Sequence, residues 1–229
     1  MVLFVHIRCS LELKSLLPVI SLAVILSASL TIVAHYLRPP RPMLIYIFKP
    51  LTTTLILSAA LLPGTFLTDP YVGAICLGLL FSLFGDIWLM LPSNRFLYGL
   101  LSFLLAHVCY IFAFLTNAPA YGFPWPVLPL SIIGAIILGY LWPTLPSGLK
   151  GAVSLYVTVI VFMAALAAGR AMARFSIGTL SAAMGALLFL VSDVILAIDR
   201  FRKPFHLARL AVLGSYFIGQ LMIALSVGK

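Results

Sequence analysis

The chain alternates between long apolar stretches and short polar breaks. The stretches run over about 16–37, 43–62, 70–91, 96–117, 125–142, 150–169, 177–198 and 207–227. Each is close to the ~20 residues that a helix rising about 1.5 Å per residue needs to cross roughly 30 Å of hydrocarbon. The breaks are rich in residues that end helices: Arg38-Pro39-Pro40-Arg41-Pro42, Pro63-Gly64, Pro92-Ser93-Asn94-Arg95, Pro119 to Pro126, Pro143 to Gly148, and Arg200 to Pro204. No stretch keeps up a period-2 alternation, which sets a β-barrel aside. The pattern predicts an all-α, polytopic membrane helical bundle of about eight transmembrane helices. A single transmembrane domain fills residues 1–229, with residues 1–13 as an N-terminal extension. No A-x-A site follows the first apolar stretch, so it is read as a retained span.

Composition agrees with a lipid environment. Of the residues, 63% are hydrophobic and 8% charged, against about 25% charged in soluble domains. The net charge of +9 comes from 14 Lys and Arg against 5 Asp and Glu. These basic residues sit in short loops, where they act as topology signals and lipid headgroup contacts. With no soluble basic domain to carry it, nucleic-acid binding is excluded. Cys9, Cys76 and Cys109 form no CxxC pair, two lie in apolar stretches, and all three read as small apolar filler rather than a disulfide framework or zinc site.

The loops divide by side. Arg38, Arg41, Arg95, Lys150, Arg200, Arg202, Lys203 and Arg209 fall on one face; Arg8, Lys14, Arg170, Arg174 and Lys229 fall on the other. The bias places the first face in the cytoplasm and both termini outside. An internal duplication is also expected. Leu80-Phe81-Ser82-Leu83-Phe84-Gly85-Asp86-Ile87-Trp88-Leu89 resembles Leu187-Leu188-Phe189-Leu190-Val191-Ser192-Asp193-Val194-Ile195-Leu196. The copies lie four spans apart and share one orientation, which fits two parallel four-helix repeats over about 16–117 and 125–227.

Three charges interrupt the apolar stretches. Glu12, Asp69 and Asp199 lie at or near span ends and read as solvated loop charges. Asp86 and Asp193 instead lie about five residues inside the ends of the third and seventh spans, roughly 8 Å below the boundary. Lys49 lies about six residues inside the second span, roughly 9 Å deep. All three sit near the same face. A charge at a span's centre costs about 2.5–3.5 kcal/mol, and such residues line substrate or ion paths or pair with one another. One carboxylate ionised beside one protonated is what an acid/base catalyst needs. The plain alternative is an ion pair that locks helices together.

Further polar residues are candidates for binding substrate. His107 and Tyr110 are one turn apart on the fourth span, Tyr216 and Gln220 one turn apart on the eighth, and Asn94 stands beside Arg95 in a loop where the two can meet a phosphate. Four scattered histidines make no metal site, and there is neither a Gly-rich phosphate loop nor a G-x-S-x-G elbow.

Four stretches resemble the YhhN family of lysoplasmalogenase-type membrane proteins. They are Tyr46 to Thr53 with Lys49-Pro50, Leu83 to Leu91 with Gly85-Asp86, Gly99 to Tyr110 with the F-x-x-x-H-x-x-Y pattern, and Val191 to Ala197 with Ser192-Asp193. The resemblance covers roughly 43–225, in order. It implies eight transmembrane helices. It also implies hydrolysis of the vinyl ether bond of a lysophospholipid drawn from the bilayer, giving a fatty aldehyde and glycerophosphocholine or glycerophosphoethanolamine, with membrane lipids as the other partners. Lys49, Asp86 and Asp193 fall on the family's polar positions. That chemistry needs a proton donor, an anion beside the oxocarbenium ion and a base for water, and no cofactor; two carboxylates solve a related problem in glycoside hydrolysis. Which aspartate is the acid stays open at this point. A proton-coupled transporter or lipid flippase is the rival reading. An intramembrane aspartyl protease ranks below both, because the G-x-G-D and P-A-L patterns are absent.

Overall fold

The computed structural model describes residues 2–37, 41–91, 95–116 and 125–228, with side chains from residue 15 onward. Within them the chain forms eight helices: α1 (Val2–Tyr36), α2 (Pro42–Leu61), α3 (Pro70–Met90), α4 (Phe96–Leu115), α5 (Val127–Leu141), α6 (Ser147–Ala173), α7 (Ile177–Phe201) and α8 (Ala208–Leu225). There is no strand among the described residues. The protein is an integral, multi-pass membrane protein.

Seven helices are long and apolar enough to cross a membrane; α5, with 15 residues, is shorter. Its ends are set by Pro126 on one side and the Trp142-to-Pro146 turn on the other. The eight expected spans are thus seven full-length candidates and one short helix. The expected extension 1–13 is helical from Val2 and continuous with α1.

Local chemistry explains several of the boundaries. Proline opens α2 and α3, where its missing N–H is no loss. Asp69 caps α3 by accepting from Tyr71 N at 2.9 Å. Ser176 and Thr179 close a capping box on α7. Asp199, expected as a loop charge, accepts from Phe205 N at 3.3 Å in the turn before α8. The α7 helix runs to Phe201, so Asp193 lies eight residues, or about 12 Å, from that end, one turn deeper than expected.

Large apolar side chains such as Leu22, Ile25, Leu105, Phe112, Ile132 and Ile136 face outward, as a bilayer requires. Small residues let the interior pack backbone to backbone. The clearest case is α7 against α8: a Cβ on Gly185 would sit 2.6 Å from Gly219 O, and one on Gly219 2.8 Å from Gly185 O. Hydroxyls stitch the same pair, Ser181 to Met222 O at 2.7 Å and Ser192 to Val212 O at 3.0 Å. At the opposite face Arg170 of α6 donates to Ala113 O and Thr116 O, ending α4, and stacks over Tyr71.

Candidate functional site

The three intramembrane charges belong to two clusters. In the first, Lys49 Nζ of α2 lies 3.1 Å from Asp86 Oδ1 of α3. Thr53, one turn beyond Lys49, donates to Asp86 Oδ2 at 2.6 Å, and Tyr216 of α8 donates to the same oxygen at 2.8 Å. Both carboxylate oxygens are therefore taken by donors, and Asp86 is 1% exposed. The glycine before it matters. Without a side chain at Gly85 the Phe103 ring of α4 lies where a Cβ would stand, 2.6 Å away.

Asp193 of α7 heads the second cluster. Tyr156 of α6 donates to its Oδ2 at 2.5 Å, and His107 Nε2 of α4 lies 3.4 Å from the same oxygen. His107 Nε2 is also 2.9 Å from Tyr156 Oη. Since the tyrosine proton points to Asp193, the ring nitrogen supplies the N–H of that contact, a tautomer assigned from the network. No donor among the described residues engages Asp193 Oδ1, and its side chain keeps 15% exposure.

Aromatic rings separate and connect the clusters. Phe103, Phe189 and Tyr216 meet edge to face, with centroids 5.3 to 5.9 Å apart. Phe189 also lies 4.7 Å from the His107 ring. The three charges, expected near one face, therefore fall into two clusters on either side of this wall.

The Asp193 cluster faces a cavity. A slot of about 70 Å³ runs between α4, α5, α6 and α7, with Phe96, Leu141 and Phe201 at one end and Leu130, Val161 and Leu190 at the other. Its lining is apolar except for Asp193 and Tyr156; Lys49 and Asp86 are not part of it. Four cations stand around the outer end. Arg200 lies over Phe96 (4.1 Å), Arg202 over Tyr140 (4.8 Å), Lys150 over Trp142 (4.8 Å) and Arg95 over Trp88 (5.1 Å). The rings hold the cation stems at the membrane boundary.

The other expected residues fall as follows. His107 and Tyr216 join the carboxylate clusters but do not line the slot. Tyr110 and Gln220 hydrogen-bond each other at 2.8 Å in the fully buried interior, also away from the slot. Asn94 lies outside the described residues. Two groups escaped the sequence reading, Thr53 and Tyr156. A signal for the second existed: Lys49 and Tyr156 are 107 residues apart, as are Gly78 and Gly185, and Asp86 and Asp193.

Fold and site together define a polytopic helical membrane protein with two carboxylates inside its helices, one of them, Asp193, opening onto an apolar slot. Comparison with known proteins narrows the class. The chain belongs to the YhhN family, whose model matches residues 44–227. It is 30% identical over 207 residues to the membrane protein YhhN of Escherichia coli O157:H7, covering 90% of this chain and 97% of that one. It is 33% identical over 171 residues to the bovine protein named lysoplasmalogenase TMEM86A, covering 71% and 68%. With the porcine protein named lysoplasmalogenase TMEM86B it shares 36% over 153 residues, covering 66% and 62%. No solved structure matches the chain.

Proposed function

We propose that the protein hydrolyses the vinyl ether bond of a lysoplasmalogen, as its TMEM86 relatives are named for doing, with Asp193 as the group that moves the proton. The observation that carries this reading is the position of Asp193, the carboxylate of an otherwise apolar slot whose mouth is ringed by cations. A phosphate headgroup rests among Arg95, Lys150, Arg200 and Arg202, and the glycerol descends toward Asp193, about 12 Å below the end of α7.

The steps balance on this chain's own groups. Asp193, protonated on Oδ1, gives its proton to the outer alkene carbon. The ether oxygen shares the resulting positive charge as an oxocarbenium ion, and the Asp193 carboxylate lies beside it. Water adds to the cationic carbon and returns a proton to Asp193. The hemiacetal then collapses to a fatty aldehyde and the glycerol hydroxyl. Tyr156, itself braced by His107, holds Oδ2, which leaves Oδ1 turned to the substrate. The Lys49–Asp86 cluster acts from behind the aromatic wall. Through Tyr216 it fixes Phe103, which lines the slot, and serves as a positioning unit.

The equal 107-residue spacings support a second part of the proposal, two parallel four-helix repeats carrying one carboxylate each. An experimental structure in which α2–α4 cannot be laid on α6–α8 with Asp86 on Asp193 removes it.

The test of function uses the purified chain in lipid nanodiscs with 1-alkenyl-lysophosphoethanolamine and its 1-acyl counterpart. Aldehyde released from the alkenyl lipid, and none from the acyl lipid, is the expected result. No aldehyde from either sinks the hydrolase assignment, and lipid movement without product points to a transporter.

A further inference from the structure

We infer that the gap between α4 and α5 is a lateral portal, through which the hydrocarbon chain of a single-chain lipid leaves the slot and stays in the bilayer during binding. This rests on the reading of the slot as a lysolipid site and adds where the tail goes.

Three observations carry it. The first is packing. Helix α5 lies against α6 and α7, but among the described residues none of its Cα atoms comes within 8 Å of one in α4. Both helices nevertheless line the slot: α4 through Phe96, Leu100 and Phe103, α5 through Leu130, Ile133 and Ile137. Gly134 draws α5 the other way, onto α6, where a Cβ would stand 2.9 Å from Val161 Cγ2. Leu100 of α4 packs against the small cluster that includes Leu141 of α5 near the outer end of the slot, and the backbones of the two helices stay more than 8 Å apart along their length, which leaves room for a chain to pass between them.

The second is length. Beyond Asp193 the slot reaches only to Leu190 on α7 and Val161 on α6, three residues past Asp193 and five past Tyr156. That is about 4–8 Å of depth at 1.5 Å per residue. A chain filling one leaflet needs about 15 Å, half of a ~30 Å core. With its headgroup at the cations and its ether at Asp193, the lipid cannot store its tail inside. Ile133, at the gap, is both slot-lining and 46% exposed, so interior and bilayer are continuous there.

The third is contrast with the first half. Helix α1, the counterpart of α5, packs on both α2 and α8. Its Tyr36 hydroxyl donates to His206 O at 3.0 Å and accepts from Leu210 N at 3.2 Å. The matching edge, between α1 and α8, is therefore closed by direct packing, and Asp86 does not line the slot.

The experiment is photolabelling of the full chain in nanodiscs with a 1-acyl-lysophosphocholine bearing a diazirine at mid-chain, read by peptide mass spectrometry. Labelling that unlabelled lysolipid competes away, but diacyl phosphatidylcholine does not, is expected on α4 near Leu100 and on α5 near Ile133 and Ile137. Ile133→Trp should lower that labelling by roughly tenfold, about 1.4 kcal/mol. Leu105→Trp, on the lipid-facing side of α4 and outside the slot, should leave it unchanged. Competable labelling on α1 and α8, or none anywhere, overturns the portal. Competable labelling at α4 and α5 without aldehyde from an alkenyl lipid keeps the portal and removes the hydrolase. Aldehyde release with labelling elsewhere does the reverse.

Discussion

Replacing Lys49 with methionine keeps the stem of the side chain and deletes the ammonium 3.1 Å from Asp86. What remains is a carboxylate that is 1% exposed, with two hydroxyl donors at 2.6 and 2.8 Å and no countercharge. Removing one partner of a buried pair costs about 3–5 kcal/mol. Hydrogen bonds between membrane helices average about 0.6 kcal/mol each, so the two hydroxyls cannot offset the loss. Asp86→Asn alone strands the lysine ammonium and should cost a similar amount. Lys49→Met with Asp86→Asn removes both charges and should return to within ~2 kcal/mol of the unmodified protein, because a neutral pair avoids the desolvation penalty. The assay is reversible unfolding in mixed dodecylmaltoside–SDS micelles, followed by the fluorescence of Trp88, Trp125 and Trp142. If the two single losses simply add in the double variant, or if Lys49→Met costs under about 1 kcal/mol, the pair is hydrated and the account of α2, α3 and α8 as charge-locked is wrong.

Asp193→Asn should lower alkenyl-lysolipid turnover by at least ~10²-fold while shifting unfolding by no more than about 1 kcal/mol, since Tyr156 can still hydrogen-bond the amide; near-normal turnover removes Asp193 as the proton carrier. Tyr156→Phe keeps the ring and loses a 2.5 Å bond to a carboxylate, so kcat should fall about 10- to 100-fold, matching ~1.5–3 kcal/mol for such bonds; an unchanged kcat makes the contact incidental. Gly185→Ala should destabilise by about 1–3 kcal/mol in the same unfolding assay, because the new methyl meets backbone. Gly151→Ala, with nothing within 4 Å of the added carbon, should be neutral or stabilising by under ~1 kcal/mol. Equal effects at the two glycines refute the close-approach argument.

The helices were legible because hydrophobic length and proline punctuation are one-dimensional signals; α2, α3 and α4 begin and end within two residues of the expected bounds. Lys49, Asp86 and Asp193 were legible for an energetic reason, since a charge in an apolar stretch is conspicuous. How they pair was not. Spacing along one helix places His107 above Tyr110 and Tyr216 above Gln220, but the structure joins Tyr110 to Gln220, Tyr216 to Asp86 and His107 to Tyr156. Those pairings depend on which faces α4, α6 and α8 turn inward. Tyr156 was hidden because a tyrosine in an apolar helix carries no charge to betray it; only its 107-residue offset from Lys49 marks it. The slot itself was invisible, being the product of a helix whose backbone stands off from that of its sequence neighbour.

The shortness of α5 has a consequence for the surrounding lipid. Fifteen residues rise about 22 Å, several ångströms less than a typical ~30 Å core. A span this short is accommodated by local thinning of the bilayer or by snorkelling of flanking residues, while the longer helices elsewhere match its full thickness. Under the proposed function, turnover should climb as the host membrane is made from lipids of shorter chain.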